Sequence, residues 1–460
     1  MNSTLNLPLI RTLLLLAPLF SFSQLSASCA DRPNIVLMML DDFGYECVTA
    51  NGGQSYHTPN IDHLATSGLR FENCHVQPLC TPTRVQMMTG RYNIFNYIRF
   101  GELPRTERTF AQLLKRAGYA TAVCGKWQLG QEPDSPQHFG FDDALLWQHT
   151  RLRPRYANPG LEHNAHELDY STGEYAPELI NDFALHFITK HRAQPFFLYY
   201  PMILTHSPFQ PTPDGADWDP ALQGEKGRRD VKHFADMTAY ADKMVGRVVD
   251  KLDELGIRDN TLLIVVGDNG TQASVISRFQ GEDYQGGKGK TTSNGTHVPL
   301  IVSWPAVMTG DADTPGGNVC EDLISSTDFL PTMCAAAGIA VPVNVDGVSF
   351  LPQLRGMAGS PRDWLYTWYS PRQKVNLSIQ EYAFDKNFKL YRSGQFYDLQ
   401  ADPAEERDLS GALISNQPLS AQAISARAKL QDVLDQFTAA RPIQLDQQFM
   451  ELGPAKAGRK

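Results

Sequence analysis

The sequence predicts an α/β protein with a large mixed, mostly parallel β-sheet between helices, followed by a smaller C-terminal α+β region with an antiparallel sheet. Two observations support this. Over the first two thirds of the chain, apolar runs alternate with segments of helical periodicity, as in parallel sheets joined by crossover helices. After about residue 357, short aromatic-rich runs alternate with turn residues, which is typical of antiparallel strands.

Continuous apolar runs predict the strands of the main sheet. The first, 34–40 (NIVLMML), has the character of a strand that is buried on both faces. Further runs occupy 196–200, 261–266 and 298–304. Because open parallel sheets bind ligands beyond the carboxyl ends of their strands, residues that directly follow these runs are the first candidates for a site.

Helical spacing of apolar residues is clearest over 231–255, and a second helix is predicted over 109–118, where Gly118 suits a helix end. The C-terminal region is predicted to contain one helix, at about 419–437, and four strands. These strands are 364–369, 379–384, 388–392 and 395–399. The predicted divisions of the chain are 1–30, 31–357, 358–445 and a polar tail at 446–460.

Residues 1–30 have the pattern of a secretory signal peptide. A single charge, Arg11, precedes the apolar run 13–20, and small residues follow. This run is too short to span a bilayer, and no later segment has the roughly 20 apolar residues of a membrane helix. We therefore expect an exported protein, periplasmic or secreted, without a transmembrane segment. Lipid attachment at Cys29 is less favoured, because Ser26 stands where an aliphatic residue is expected.

The net charge is −9, and removal of residues 1–30, which contain only Arg11, changes it to −10. Such a protein has no general attraction for nucleic acid, so we expect no nucleic-acid partner. An anionic substrate would need a local cationic site. The seven cysteines are too few for a disulfide scaffold, and their odd number raises the question of whether one thiol has a chemical role.

Acidic residues follow two of the predicted strands. Asp41 and Asp42 end the first, and Asp268 and Asn269 follow the run 261–266 after one glycine. Adjacent carboxylates at the end of a buried strand repel each other and lose hydration, so they need a cation. Their oxygen atoms suit a hard ion such as Ca²⁺ or Mg²⁺. Either pair alone would equally suit a turn.

A third cluster is Cys80-Thr-Pro-Thr-Arg84. Pro82 suits the first turn of a helix, so Cys80 would lie at a helix N-terminus, where backbone N–H groups favour anions. A lone cysteine beside proline is usually a small buried residue. Arg84, one turn later, makes an activated thiol or a modified cysteine the alternative.

This cluster resembles a signature of the sulfatase family, in which Cys80-x-Pro-x-Arg84 is followed by Thr89-Gly90 and the cysteine is oxidised to formylglycine. The resemblance extends from about residue 33 to residue 408. The other matching motifs are Gly118–Gly130, Thr205-His206-Ser207-Pro208, Asp268-Asn269-Gly270, Gly287-Lys288-Gly289, Asp328–Thr332, Asp346–Ser349, and Phe396–Leu399 with Asp402-Pro403.

The resemblance implies an alkaline phosphatase-like fold, a catalytic domain at 31–357 and a sulfuric ester hydrolase of the arylsulfatase type. Its implied partners are a sulfated small molecule or saccharide and a formylglycine-generating maturation enzyme. It implies one divalent metal, Ca²⁺ or Mg²⁺. The implied metal ligands are Asp41, Asp42, Asp268, Asn269 and the modified Cys80.

The resemblance also assigns catalytic roles. Arg84 would brace the formylglycine, and His206 would lie near the leaving oxygen. Lys126 and Lys288 would hold the sulfate. The chain departs from the family at Gln128, where a histidine usually contacts the formylglycine. Glutamine can donate a hydrogen bond but cannot transfer a proton near neutral pH. A second departure is Ser293–His297, where Glu-Gly-Gly-x-Arg is common.

These groups suit a sulfate ester, which is anionic and repels ordinary nucleophiles. Three carboxylates, one divalent cation, Arg84 and two lysines give a locally positive site in an acidic protein. A formylglycine hydrate offers two hydroxyls, one to attack sulfur and one whose deprotonation expels sulfate. Neither serine nor an unmodified thiol has this second hydroxyl.

Two alternatives remain. One is a phosphate or phosphonate ester hydrolase of the same superfamily, although several of those enzymes use Ser or Thr and two metals. The other is a non-catalytic binder of sulfated glycans, which Gln128 and an unconverted Cys80 would fit. A sulfated carbohydrate is the expected substrate. The basic run 151–155 (RLRPR) is interpreted as a solvated loop, with a role in lining a cleft as the alternative.

Overall fold

A computed structural model describes Met1 and residues 32–221, 230–308, 318–411 and 419–454. Apart from Met1, the predicted signal peptide at 1–30, with its alternative lipidation site at Cys29, lies outside the described residues. The last six residues of the predicted polar tail also lie outside them. Among the described residues, no helix combines the length and apolar content that crossing a bilayer requires.

The main sheet has ten strands in the spatial order β12-β2-β11-β8-β1-β7-β3-β4-β5-β6. Its centre, from β8 to β4, is parallel, whereas β11, β5 and β6 pair antiparallel with their neighbours. The strands are β1 Asn34–Leu40, β2 Leu69–His75, β3 Ala120–Lys126, β4 Asp143–Trp147, β5 Gly160–His163, β6 His166–Asp169, β7 Phe196–Pro201, β8 Thr261–Gly267, β11 Leu300–Ser303 and β12 Asn318–Ser325. The predicted mixed, mostly parallel sheet is confirmed.

Alternate residues of β1 enter two different hydrophobic cores. Leu37 points into a core on one face of the sheet, and Met38 points into a core on the other. This is why β1 is apolar throughout rather than alternating. Helices α1 (Pro59–Ser67), α5 (Ala176–His191) and α6 (Phe234–Glu254) cover one face of the sheet. Helices α2 (Cys80–Thr89), α3 (Phe110–Arg116) and α8 (Phe329–Ala336) cover the other face.

The three helices whose bounds were predicted from the sequence begin and end close to their predicted positions, and apart from the helix start at Cys80 the other helices were not predicted. The predicted helix 231–255 is a 3₁₀ turn at Val231–His233 followed by α6, and the predicted helix 109–118 is α3, capped by Thr109. The helices are α1 Pro59–Ser67, α2 Cys80–Thr89, α3 Phe110–Arg116, α4 Ser135–His138, α5 Ala176–His191, α6 Phe234–Glu254, α7 Ser293–Thr296, α8 Phe329–Ala336, α9 Leu351–Leu354, α10 Ala421–Gln436 and α11 Ile443–Leu452.

A four-stranded antiparallel sheet forms the C-terminal region, as predicted. Its strands are β13 Leu365–Tyr369, β14 Gln380–Phe384, β15 Phe388–Tyr391 and β16 Phe396–Asp398. Ala383 and Leu390 of this sheet and Leu430 of α10 belong to the same core as one face of the main sheet. The two sheets are therefore packed together through a shared core.

Six strands of the main sheet were not predicted, namely β2, β3, β4, β5, β6 and β12, and three further features differ from the sequence expectations. The apolar run 298–304 forms only the short strand β11, because Pro299 cannot donate a ladder hydrogen bond. A small hairpin, β9 Ile276–Phe279 with β10 Glu282–Gln285, was not predicted. The predicted polar tail contains most of α11, whose Phe449 is buried and whose Asp446 pairs with Arg372.

Candidate active site

The acidic residues meet because their strands are neighbours in register. Leu40 pairs with Gly267 at the carboxyl ends of β1 and β8, so Asp41 and Asp268 continue side by side from adjacent strands. Asp42 has a positive φ of 59°, and its backbone N–H donates to Asp268 Oδ1 at 3.0 Å. Asn269 Nδ2 donates to Asp42 Oδ1 at 2.9 Å. All four side chains are buried.

Cys80 is the first residue of α2 and is 2 % exposed. The helix places the Cys80 sulfur beside the acidic cluster, where Sγ and carboxylate oxygens of Asp41 and Asp268 all lie within 4.8 Å of one another. Burial raises the pKa of the Cys80 thiol, so the unmodified residue is a neutral thiol. It is poorly suited to act as a thiolate nucleophile.

Three basic side chains surround this cluster. Lys126, at the end of β3, donates to both carboxylate oxygens of Asp41 at 2.8 Å. Lys288 Nζ lies 2.6 Å from Asp42 Oδ1. Burial favours the neutral form of Lys288, but the adjacent Asp42 raises its pKa above the usual value and keeps it an ammonium.

Arg84 lies one turn into α2 and is completely buried. Its guanidinium donates to Asp268 Oδ2 and to the backbone oxygen of Lys126, both at 2.9 Å. Arg84 therefore joins the ends of β8 and β3 to the helix that begins at Cys80. The implied role of Arg84 in bracing the formylglycine stays a prediction.

His206 also lies beside Asp42. Its Nδ1 donates to the backbone oxygen of Ser207 at 2.6 Å, which leaves Nε2, 3.8 Å from Asp42 Oδ2, as the unprotonated nitrogen of the neutral ring. Burial and the nearby charge of Arg155 lower the pKa of His206 to about 3. The ring is therefore neutral near neutral pH.

The donor set fits a hard divalent cation. Asp41 belongs to two groups of potential ligands, one with Asp42 and His206 and the other with Cys80 and Asp268, and within each group the ligand atoms lie within 4.8 Å of one another. Asn269 Oδ1 is buried without a hydrogen-bond partner. Burial and the charge of Asp41 raise the pKa of Asp268 to about 6, so a bound cation would be needed to keep all three carboxylates ionised near that pH. Oxygen donors of this kind suit Ca²⁺ or Mg²⁺. Nε2 of His206 also lies close enough to serve as a ligand.

Gln128 lies two residues beyond Lys126 with a positive φ of 55°, and its side-chain oxygen is buried without a hydrogen-bond partner. Among the described residues, no recorded contact joins Gln128 to Cys80. A role for Gln128 in binding or catalysis stays a prediction.

One site residue was missed by the main interpretation of the sequence. The run 151–155 was interpreted as a solvated loop, but Arg151 is buried and the Arg155 side chain is only 10 % exposed. Arg155 Nη1 lies 3.8 Å from Asp41 Oδ2. The interpretation as a solvated loop is therefore wrong for Arg151 and Arg155, and the density of arginine in RLRPR was the available signal.

The motif order and this geometry agree with a match to known families. A sequence model described as "Sulfatase" matches residues 33–339, about two thirds of the chain. The chain belongs to the sulfatase family. A second model, "N-sulphoglucosamine sulphohydrolase, C-terminal", matches residues 290–432 of this sulfatase and includes its small sheet.

Curated relatives of the sulfatase carry the same family name. Arylsulfatase A of Bos taurus is 30 % identical over 424 residues, which cover 82 % of this chain and 78 % of that protein. N-acetylgalactosamine-6-sulfatase of Mus musculus is 30 % identical over 407 residues, covering 80 % and 74 %. These relatives agree with sulfate ester hydrolysis as the activity of the family.

Solved structures confirm the alkaline phosphatase-like fold. A protein in complex with its substrate D-glucosamine-2-N,6-O-disulfate has a TM-score of 0.72 at 22 % identity, covering 89 % of this chain and 99 % of that one. Phosphonate monoester hydrolase of Agrobacterium radiobacter has a TM-score of 0.65 at 20 % identity, covering 89 % and 96 %. At these identities the likeness concerns the fold alone.

Proposed function

We propose that this sulfatase hydrolyses a sulfate ester of a saccharide, using formylglycine formed from Cys80 and one divalent cation. The observation that supports this most directly is the position of Cys80. It lies at a helix N-terminus, beside the carboxylates of Asp41 and Asp268, and basic side chains pair with the carboxylates of this cluster. The proposed cation ligands are Asp41, Asp42, Asp268, Asn269 and the modified residue 80.

In this proposal the cation supplies positive charge, and the hydrated aldehyde supplies a hydroxyl nucleophile. Lys126 and Lys288 supply N–H donors for the sulfate oxygens, since Lys126 is buried, the Lys288 side chain is 15 % exposed, and both donate to carboxylates of the cluster. Neutral His206 is not a proton donor of imidazolium type near neutral pH. Lys288, whose pKa is raised beside Asp42, is the better source of charge for the departing oxygen.

Two likenesses support a saccharide substrate. One relative is named for sulfated N-acetylgalactosamine, and the second family model is named for N-sulphoglucosamine. The family and its named relatives favour a sulfate ester over a phosphonate ester as the substrate, while the fold itself occurs in both kinds of hydrolase.

The proposal is tested by mass spectrometry and by sulfate release. In protein expressed with a formylglycine-generating enzyme, the peptide that contains residue 80 should show the mass of an aldehyde in place of a thiol. Cys80→Ala should release no sulfate from 4-nitrophenyl sulfate or from sulfated saccharides. Full activity with an unmodified Cys80 would contradict formylglycine, and faster hydrolysis of aryl phosphate or phosphonate would favour the alternative hydrolase. Glycan binding without sulfate release would favour the non-catalytic binder.

Asp268→Ala is expected to abolish both metal binding and turnover, because Asp268 is a proposed ligand of the cation. Its carboxylate also accepts hydrogen bonds from the Asp42 backbone N–H and from the Arg84 guanidinium. Bound metal is measured by elemental analysis of dialysed protein. Because the variant leaves Arg84 buried without its carboxylate, Asp268→Asn is tested in parallel and should keep the fold better while still losing metal. Full activity in Asp268→Asn would remove the metal from the mechanism.

A further inference from the structure

Arg155 is held in place by aromatic rings at the edge of the acidic cluster. It lies in the segment between β4 and β5, and its guanidinium carbon is 4.1 Å from the ring centre of Trp147 and 5.9 Å from that of Tyr156. Stacking on an aromatic face orients an arginine without using its N–H donors. The side chain is nine-tenths buried and therefore has little freedom to move away.

The other two arginines of the same segment have carboxylate partners. Arg151 pairs with Glu167 and Asp169, and Arg153 pairs with Asp169. In contrast, Arg155 Nη1 is buried without a hydrogen-bond partner, and Asp41 Oδ2, at 3.8 Å, is beyond hydrogen-bond distance. A buried guanidinium N–H without an acceptor is costly, so this donor is suited to a ligand.

The backbone places Arg155 on the same side of the cluster as His206. The hydroxyl of Tyr156 donates to the backbone oxygen of His206 and, at 2.9 Å, to that of Ile203. These bonds fasten the Arg155 segment to the chain that follows β7. Since His206 is the group expected beside the leaving oxygen, Arg155 lies toward the part of the substrate that departs.

The reacting sulfate does not need this additional charge. In the proposed function, on which this inference rests, the cation, Arg84, Lys126 and Lys288 already exceed the charge of the three carboxylates. Arginine instead offers a planar pair of donors that matches the two oxygens of a carboxylate or sulfate.

We propose that Arg155 binds a second anionic group of the saccharide, a carboxylate or another sulfate, next to the ester that is hydrolysed. Arg155 thereby selects substrates with two neighbouring negative charges over substrates with one.

The test uses Arg155→Gln, Arg155→Lys and the control Arg153→Gln in the full chain after formylglycine conversion. Substrates are 4-nitrophenyl sulfate, which has no second anion, and a panel of saccharides. The panel contains glucosamine 6-sulfate, N-acetylgalactosamine 6-sulfate, glucosamine 2-N,6-O-disulfate and sulfated disaccharides with and without a uronate. Thermal unfolding of each variant is measured first, because Trp147 and Tyr156 pack against Arg155.

The wild-type enzyme should prefer a panel member with a second anion. Arg155→Gln should raise KM for that substrate about tenfold or more, since a charged hydrogen bond has that magnitude. The rise in KM for 4-nitrophenyl sulfate, which has no second anion, should be at least about fivefold smaller. Arg155→Lys should be intermediate because it keeps the charge but loses the paired donors. Arg153→Gln should behave as wild type.

Three results would overturn the assignment: a wild-type preference for singly charged substrates, an equal loss on 4-nitrophenyl sulfate, or no loss on any substrate. An equal loss would mean that Arg155 acts on the reacting sulfate itself. A wild-type enzyme that releases no sulfate from any ester would instead contradict the proposed function.

Discussion

Single residues near the site show how burial sets protonation. Glu46 is 1 % exposed and lies behind the cluster, where Oε1 accepts from the Thr271 hydroxyl at 2.5 Å and Oε2 has no hydrogen-bond partner. Burial raises the pKa of Glu46 from 4.5 to about 7. The folded protein therefore binds this proton more tightly than the unfolded chain does.

Glu46→Gln is expected to change the pH dependence of stability. The pKa of Glu46 is higher in the folded protein than in the unfolded chain. The stabilising contribution of the protonated Glu46 carboxyl is therefore complete below pH 4.5 and is lost as the pH rises through about 7. The free energy of unfolding of the variant, relative to wild type, should rise by about 3 kcal/mol across this window. Urea denaturation at pH 4.5 and pH 8 measures it.

The exposed Glu282→Gln is the control for this comparison and should show no such trend. A difference between Glu46→Gln and wild type that stays constant with pH would contradict the assignment of the shift to Glu46.

Strand β3 places Lys126 in the site, and this position of the strand depends on Gly125, the residue before Lys126. Gly125 has a φ of 122°, and a Cβ at this position would lie 1.9 Å from the backbone oxygen of Pro201 in β7. The neighbouring strand backbones therefore approach more closely here than any other residue would allow.

Gly125→Ala is expected to separate the carboxyl ends of β3 and β7 and to displace Lys126. Gly256→Ala is the matched control, because Gly256 also has a positive φ, of 66°, but its Cβ would meet nothing within 4 Å. The control should lose roughly 1 kcal/mol from the left-handed backbone alone. Gly125→Ala should lose clearly more stability and most of its turnover, as measured by denaturation and sulfate release. Equal effects of the two substitutions would contradict the close approach.

The small C-terminal sheet forms hydrogen bonds with the segment of the chain that contains Lys288. The Tyr369 hydroxyl donates to the backbone oxygen of Gly289 at 3.4 Å, and the Tyr391 hydroxyl lies 2.9 Å from Thr291 Oγ1. Lys389 donates to the backbone oxygen of Thr291 and pairs with Glu405 at 2.7 Å. The C-terminal region thus positions a site residue that belongs to the main domain.

Lys389→Met is expected to destabilise the protein by roughly 3–5 kcal/mol, because it leaves the buried Glu405 side chain without its cationic partner. The Tyr391 hydroxyl still donates to Glu405 Oε2, but it carries no charge. The double variant Lys389→Met/Glu405→Gln should recover part of this loss, since the amide is neutral. Chemical denaturation of the two variants and wild type gives the comparison. A double variant that is no more stable than Lys389→Met would contradict a buried charge as the cause.

The features that could be predicted from the sequence are those that depend on the local pattern of apolar residues. Continuous apolar runs predicted β1 and β8, helical spacing predicted α6, and aromatic-rich runs predicted the four strands of the small sheet. Asp41 and Asp268 were predicted as one site because each follows an apolar run, and parallel strands end at the same edge of a sheet.

Which side chains from distant parts of the sequence come into contact could be seen from the tertiary structure alone. Lys126 pairs with Asp41, and Lys288 pairs with Asp42. Arg155 lies 3.8 Å from Asp41, and Lys389 supports the segment that contains Lys288. Each of these contacts joins parts of the chain that are far apart in sequence. The periodicity of apolar residues indicates whether a side chain is buried, because burial depends on which face of its own helix or strand the side chain occupies. It does not report the partner, because that depends on strand order, register and the packing of one sheet on another.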